Sequence, residues 1–271
     1  MVEPLDQIRD RCQKPRYKQV GNWMVRHILR DAALPLTWLL LHTPVTANQV
    51  TTAAFVSGVL GCVLMALPSA GAFLAGALLL QLWYYLDHVD GQIARYRQTA
   101  CLTGRFYDFV MHQAVHGLIL FALGLHVFHL TGQIFFVIWG FAGSFCSMMF
   151  NYYYDAQYKT FFEKLMTVKT VGISKPPEPG PSAKSGAVRK SPAKKLFSFL
   201  HKSHEIHVMM NILTLAALLQ LLPLARGFAW RPALFLFYGL AAPLLAAVKL
   251  IYILRHRTID ADFNARFKIL E

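Results

Sequence analysis

Seven residues in the middle of the chain combine side-chain type and spacing in a way that could do chemistry. They read Asp87-x2-Asp90-Gly91-x2-Ala94-Arg95, then eight residues, then Gly104-x3-Asp108. His112 follows four positions later in the same stride. All lie within or at the ends of strongly apolar stretches. A carboxylate at the centre of such a stretch costs roughly 2.5–3.5 kcal/mol on insertion scales, so it is as a rule paired, solvated or functional. Residues three and four apart share one face of a helix. Asp87, Asp90, Gly91, Ala94 and Arg95 therefore form one stripe, and Gly104, Asp108, His112 and His116 form another. Hard oxygen ligands on two facing helices suit Mg²⁺ or Mn²⁺. Gly91 and Ala94 leave room for close helix packing or for a ligand. Arg95 is a fixed cation that can meet phosphate oxygens. The structural alternative is a buried ion-pair network of Asp87 or Asp90 with Arg95 or Arg105.

For the two stripes to meet, the stretches carrying them must be antiparallel helices at one membrane depth. The composition agrees. The chain has 271 residues, 55% of them hydrophobic, against about 45–50% in soluble domains. Its mean hydropathy is +0.39. The excess falls in runs of about 20 residues, the length that crosses a bilayer core. The expected fold class is an all-α polytopic membrane protein with six transmembrane helices near 48–67, 71–95, 104–130, 133–154, 205–224 and 232–253. A polar lead over 1–20 is not expected to be a cleavable signal. Residues 21–43 read as an interfacial helix. In it Trp23, Met24, Ile28, Leu34 and Trp38 supply apolar surface, Arg26, His27 and Arg30 face headgroups, and Pro35 marks a kink. The division is then membrane helices one to four over 44–156, a basic loop over 157–204, helices five and six over 205–255, and a tail over 256–271.

The formal net charge is +13. Lys and Arg cluster in the N-terminal lead, the 95–105 turn, the 155–204 loop and the tail from Arg255 to Lys268. The turns at 68–70 and 131–132 carry none. The positive-inside bias thus places both termini and the acidic stripes on the cytoplasmic side of a bacterial inner membrane or an equivalent internal membrane. Membrane lipids, and not nucleic acid, are the expected partners of this charge. Residues 155–171 are expected to prolong the fourth helix. The Pro/Ser/Gly/Lys-rich stretch 172–195 reads as a disordered linker. Phe197, Phe199 and Leu200 beside Lys194, Lys195 and Lys202 read as more of that solvated linker, with a membrane-surface helix as the alternative. The four cysteines form no C-x2-C pair, and no disulfide framework is implied.

At these residues the chain resembles the CDP-alcohol phosphotransferase (phosphatidyltransferase) family, whose signature is D-x2-D-G-x2-A-R-x8–9-G-x3-D-x3-D. Every element matches except the last Asp, where this sequence has His112. The segment Asn48-Gln49-Val50-Thr51 is similar to the family's P-N-x-x-T opening of the first span, with Ala47 in place of Pro. The likeness covers about residues 20–255 outside the linker. It implies a six-helix bundle, a homodimer, and transfer of a phospho-alcohol group from a CDP-alcohol donor to an alcohol acceptor with release of CMP, in phospholipid synthesis. Asp87, Asp90 and Asp108, with His112 in the fourth position, would hold two divalent ions, Mg²⁺ or Mn²⁺. Asn48, Thr51, Gly91 and Arg95 would contact the CDP portion, beside Ala94 and Gly104. Cys101 falls where the family often has Ser or Thr near the nucleotide, and Thr99 or Thr103 would substitute for it.

The departure at His112 leaves three readings. An imidazole can accept a proton and can bind a metal. Its reference pKa of about 6.5 is nearer working pH than the 3.9 of Asp, so His112 is the first candidate for the base. Asp108 or a metal-bound water is the second. A catalytically inactive nucleotide-lipid binding relative is the third. With three carboxylates instead of four, the site would lean towards Mn²⁺. His88 and His116 read as packing residues, and Asn151 and Asp155 either line the acceptor pocket or are interfacial. The first reading of the donor is CDP-diacylglycerol, with a water-soluble acceptor. Transfer of a CDP-carried headgroup to a lipid alcohol is the alternative. A cation-coupled transporter is disfavoured, because no pair of Gly/Pro-broken helices occupies matching halves.

Overall fold

Thr46 and Gln49 start the first long helix by satisfying each other's free backbone groups. Thr46 Oγ1 accepts from the Gln49 amide at 3.3 Å, and Gln49 Oε1 accepts from the Thr46 amide at 2.8 Å, a capping box. Pro68 follows the end of that helix, and Ser69 caps the next. Gly132, left-handed at φ +71°, closes the third. The computed structural model describes residues 2–14, 16–168, 170–173, 192–222 and 229–270. In chain order the elements are α1 Leu5–Cys12, a π-helical turn Val25–Leu29 running into α2 Arg30–Leu41, α3 Ala47–Ala66, α4 Ala70–Tyr96, α5 Leu102–Thr131, α6 Phe135–Met166, β1 Thr170–Ile173, α7 Pro192–Ser203, α8 Ile206–Leu219, α9 Trp230–His256, α10 Thr258–Arg266 and β2 Phe267–Leu270.

The protein is an all-α polytopic membrane protein. Among the described residues, α3, α5, α6 and α9 are long and apolar enough to cross a membrane. The 27-residue α4 carries the motif acids, and α8 is a shorter apolar helix of 14 residues. The core joins α4, α5, α8 and α9 through Phe73, Leu80, Trp83, Ile119, Leu123, Met210, Phe235 and Tyr238. Val56, Leu60 and Val63 on α3, and Leu244 and Ile251 on α9, remain exposed on the outside, as a lipid-facing surface requires.

Two close crossings set the positions of the motif helices. At the first, a Cβ on Gly76 of α4 would stand 2.6 Å from the Met65 amide nitrogen of α3, and one on Gly61 would stand 2.9 Å from the Gly76 carbonyl oxygen. At the second, Gly124 of α5 meets Gly140 of α6 almost backbone to backbone. Small residues allow such contact without a hydrophobic drive between helices in lipid.

Several local features differ from the sequence expectation. Leu34 is buried against the protein, not displayed to lipid. Arg30 turns inward, where its guanidinium donates to the carbonyls of Tyr17 and Val20. The face of α2 meant for headgroups is thus partly consumed by holding the N-terminal segment. Gly172 and Ile173, expected within a disordered linker, pair antiparallel with Lys268 and Phe267 in a two-stranded sheet. Residues 192–203, read as solvated linker, form α7. Residues 174–191 of that linker lie outside the described residues. The polar lead also contains α1, packed through Ile8 and Cys12 on Leu34, Val89 and Ile93.

Candidate active site

The C-terminal end of α4 and the N-terminal end of α5 are joined by residues 97–101, and this short connection turns the two acidic stripes towards each other. His112 Nε2 lies 2.7 Å from Asp87 Oδ1 and 3.3 Å from Asp108 Oδ1. One ligand atom from each of Asp87, Asp108 and His112 falls within 4.8 Å of the other two. Asp90 belongs to the same helix face but is drawn towards α3. It is only 8% exposed, and Thr51 Oγ1 donates to its Oδ2 at 2.6 Å. The first span is therefore tied to the acidic stripe by a charge-assisted hydrogen bond.

A cavity of about 950 Å³ opens over these groups. Its wall contains Asn48 and Thr51 from α3; Asp87, Asp90, Gly91, Ala94 and Arg95 from α4; Cys101 before α5; and Gly104, Asp108 and His112 on α5. Of the two threonines offered in place of Cys101, Thr99 lines it and Thr103 is not in its lining. Asn151 and Asp155 of α6 line it as well. Gly91 has a local reason to be small, whereas a Cβ at Gly104 would make only ordinary contacts. A Cβ on Gly91 would sit 3.1 Å from an Arg95 guanidinium nitrogen, so glycine lets the arginine fold back over the helix. A Cβ on Gly104 would come within 3.5 Å of Asn48 Oδ1. Cys101 is the N-cap of α5, its Sγ accepting from the Gly104 amide at 3.3 Å. The N-terminal ends of α3 and α5 both face the cavity through Thr46, Ala47, Cys101 and Leu102. Free amides and positive helix ends favour an anion there.

The ion-pair alternative does not form. Among the described residues the carboxylate of Asp87 pairs only with His112 and His88, and Asp90 has no arginine partner. Arg95 instead donates Nε–H to the Cys12 carbonyl at 2.5 Å. Arg97 donates to the carbonyls of Val45 and Thr43, at 2.5 and 2.7 Å, and so fixes the loop before α3.

The donor set of the trio suits a divalent ion, with its three ligand atoms within 4.8 Å of one another. Adjacent positions of an octahedron with ~2.1 Å metal–ligand distances are ~3.0 Å apart. The observed spacings of 2.7 and 3.3 Å straddle that value. Asp90 adds a fourth donor residue to the same cavity.

The structure also brings in groups that the sequence reading placed elsewhere or did not single out. His116, expected to be packing, lines the cavity and pairs its Nδ1 with Asn151 Nδ2 at 3.0 Å, while its buried Nε2 has no partner among the described residues. His88 Nδ1 meets the Tyr84 carbonyl at 2.9 Å, a packing role, although its ring still borders the cavity. Lys14 and Arg30 come from the N-terminal segment, and Arg105 from the first turn of α5. No spacing rule links Lys14 to residue 87. A surplus of positive charge in the lead was the only signal available.

No curated protein matches the chain. Residues 44–174, which include α3, α4, α5 and α6 with all of the acidic and small motif residues, match the family model described as CDP-alcohol phosphatidyltransferase. These enzymes are transferases of phospholipid synthesis that take CDP-alcohol donors and alcohol acceptors. Residues 44–174 are therefore a CDP-alcohol phosphatidyltransferase domain.

Proposed function

We propose that the protein transfers the phosphatidyl group of CDP-diacylglycerol to a water-soluble alcohol, with release of CMP. The observation that carries this reading is the grouping of Asp87, Asp108 and His112 within 4.8 Å at the wall of a cavity that also holds Arg95 and two helix N-termini. A divalent ion bound there would neutralise the diphosphate and stabilise the leaving phosphate. Asp87, Asp108 and His112 would hold one ion, and Asp90 would contribute to a second. The mixed oxygen and imidazole donors favour Mn²⁺ over Mg²⁺.

The side chains of the chain itself divide the remaining work. Arg95 meets phosphate oxygens, with Gly91 leaving space for its return over the helix. Asn48, Thr51, Ala94, Cys101 and Gly104 shape the nucleotide side. Asp87 orients the His112 ring through the 2.7 Å contact, as a carboxylate orients a catalytic imidazole. With Nε2 committed to Asp87, Nδ1 is the nitrogen of His112 that would take the proton of the attacking hydroxyl. Asp108 is the base if the ring is committed to an ion.

The proposed topology has the site and both termini on the cytoplasmic side, a reading that the positive-inside charge pattern supports. The homodimer implied by the family resemblance is part of the proposal, and the mass of the protein in detergent tests it. A CDP-headgroup donor with a lipid alcohol, and a non-catalytic CDP-lipid binder, are the competing readings.

The test is mass spectrometry of lipids after purified protein is incubated with Mn²⁺ or Mg²⁺, CDP-diacylglycerol and a panel of polyols. A companion incubation supplies CDP-headgroups and diacylglycerol. We expect CMP and a new phosphatidyl-alcohol only in the first arm. Asp90→Asn and Asp108→Asn should each lower the rate at least ~100-fold, the scale of losing a group that stabilises transition-state charge. Full activity in both variants would sink the proposal.

A further inference from the structure

Lys14 lies outside the matched stretch 44–174, yet it lines the main cavity together with Arg95 and Arg105. Its position is built from both sides. The carbonyl of Cys12, a fully buried residue, accepts from Arg95 Nε at 2.5 Å. Gln13 is also buried and donates Nε2–H to the Arg30 carbonyl at 2.9 Å. The same carbonyl accepts from Gln92 of α4 at 2.8 Å. Ile8 and Cys12 pack into an apolar cluster with Val89 and Ile93 of α4. Residues 12 and 13 are thus locked to the helix that carries Asp87 and Asp90, and Lys14 is delivered to the cavity wall.

Cations crowd Lys14, with Asp87 the one carboxylate acting on it from across the cavity. Among the described residues Lys14, Arg95 and Arg105 form no ion pair with a carboxylate. The nearest motif acids already have partners, Asp87 in His112 and Asp90 in Thr51. Desolvation first, and then Arg95 and Arg30, hold the Lys14 ammonium below the ordinary lysine range. Three cations on one wall with no carboxylate in ion-pair range among the described residues suit an anion that can accept from several donors at once. Phosphate does so, taking Arg as a fork and Lys as a point charge.

We propose that Lys14 and Arg105 bind a phosphate group of the substrates on the cavity wall beside Arg95, so that the N-terminal segment completes the site. The proposal rests on the transferase reading, and the phosphate belongs either to the donor's diphosphate or to a phosphorylated acceptor.

The full chain in lipid nanodiscs with Mn²⁺ is titrated by calorimetry with CDP, and then, saturated with CDP, with inorganic phosphate. Wild type is compared with Lys14→Met, Lys14→Arg and Arg105→Gln. A hydrogen bond to a charged group is worth enough that Lys14→Met should weaken one of the two titrations about tenfold or more. Lys14→Arg should stay within about threefold of wild type, and thermal midpoints should be unchanged. Loss in the CDP titration assigns the contact to the donor, and loss only in the phosphate titration assigns it to the acceptor. Wild-type affinities for both probes in Lys14→Met and Arg105→Gln overturn the proposal and leave the transferase reading standing. A lowered thermal midpoint in Lys14→Met without rescue by Lys14→Arg overturns it as well, because the residue would then be structural. Wild-type protein that binds phosphate through Lys14 but no CDP keeps the anion site and defeats the transferase reading. Binding of neither probe defeats both.

Discussion

His112 Nε2 touches Asp87 and Asp108 at once, and a single nitrogen cannot hold an ion and receive a proton in the same state. The two duties separate on substitution. If His112 is the base, His112→Ala should be nearly dead with both metals. His112→Asp should then recover turnover with a shifted preference between Mg²⁺ and Mn²⁺. Wild-type turnover in His112→Ala would assign the base elsewhere. The cysteines give a second test at this scale. Cys12 is fully buried, and that burial pushes its thiol up to about 11. At pH 8 it remains protonated and slow to alkylate, whereas a thiolate is the reactive form. Cys101 is exposed at the cavity. We therefore expect N-ethylmaleimide at pH 8 to label Cys101 first, and CDP with metal to slow that labelling. Equal labelling of both, followed by peptide mass mapping, would contradict the packing of α1. The motif residues were legible because helical spacing alone puts them on two facing stripes. Lys14 was not legible, since hydrogen bonds from Arg95 and Gln92 across the fold bring its segment to the cavity, and no local pattern encodes them.

At the scale of the element, the two glycine crossings control how well the stripes oppose each other. Gly76→Ala would press a methyl group against the Met65 amide and the Gly61 carbonyl, both backbone atoms that cannot swing away. Overpacking of this kind typically costs ~1–3 kcal/mol. Because α3 also carries Thr51 to Asp90, turnover should fall along with the thermal midpoint. Gly71→Ala is the control: the nearest atom to its Cβ, Ser69 Oγ, is 3.8 Å away, and alanine is the better helix former. Similar losses in both variants would show that the crossing is not the cause. The long helices were legible from apolar runs and their Pro and Gly ends. The strands β1 and β2 and the helix α7 were not. A four-residue strand whose partner lies far away in sequence leaves little trace in a local pattern, and a Lys-rich stretch flanked by linker composition reads as solvated.

At the scale of the whole molecule, the cavity, α1, the sheet and the far end of α6 gather at one end of the bundle. In the proposed topology that end is the cytoplasmic one. Single cysteines placed at Ser69 and Thr131, in a background lacking the native four, should be labelled by a membrane-impermeant reagent only from the opposite side to one at position 101. Labelling of all three from one side would refute the arrangement. Fold class could be read from composition, and the motif residues that line the cavity from one spacing pattern. The contribution of Lys14 and Arg30 to the cavity wall could not, because it depends on segments far apart in the chain.

The pairing of Thr170 with Leu270 has a consequence for biogenesis. The second strand cannot pair until the ribosome has passed residue 270, after every helix of the bundle has been synthesised. Local contacts form early, and pairings between distant segments must wait for the closure of the intervening chain. The segment after α6 is therefore held in its final register only late, as a latch on a bundle already inserted. Shortening the chain before Phe267 should leave the transmembrane helices in place and expose the end of α6 to cytoplasmic proteases.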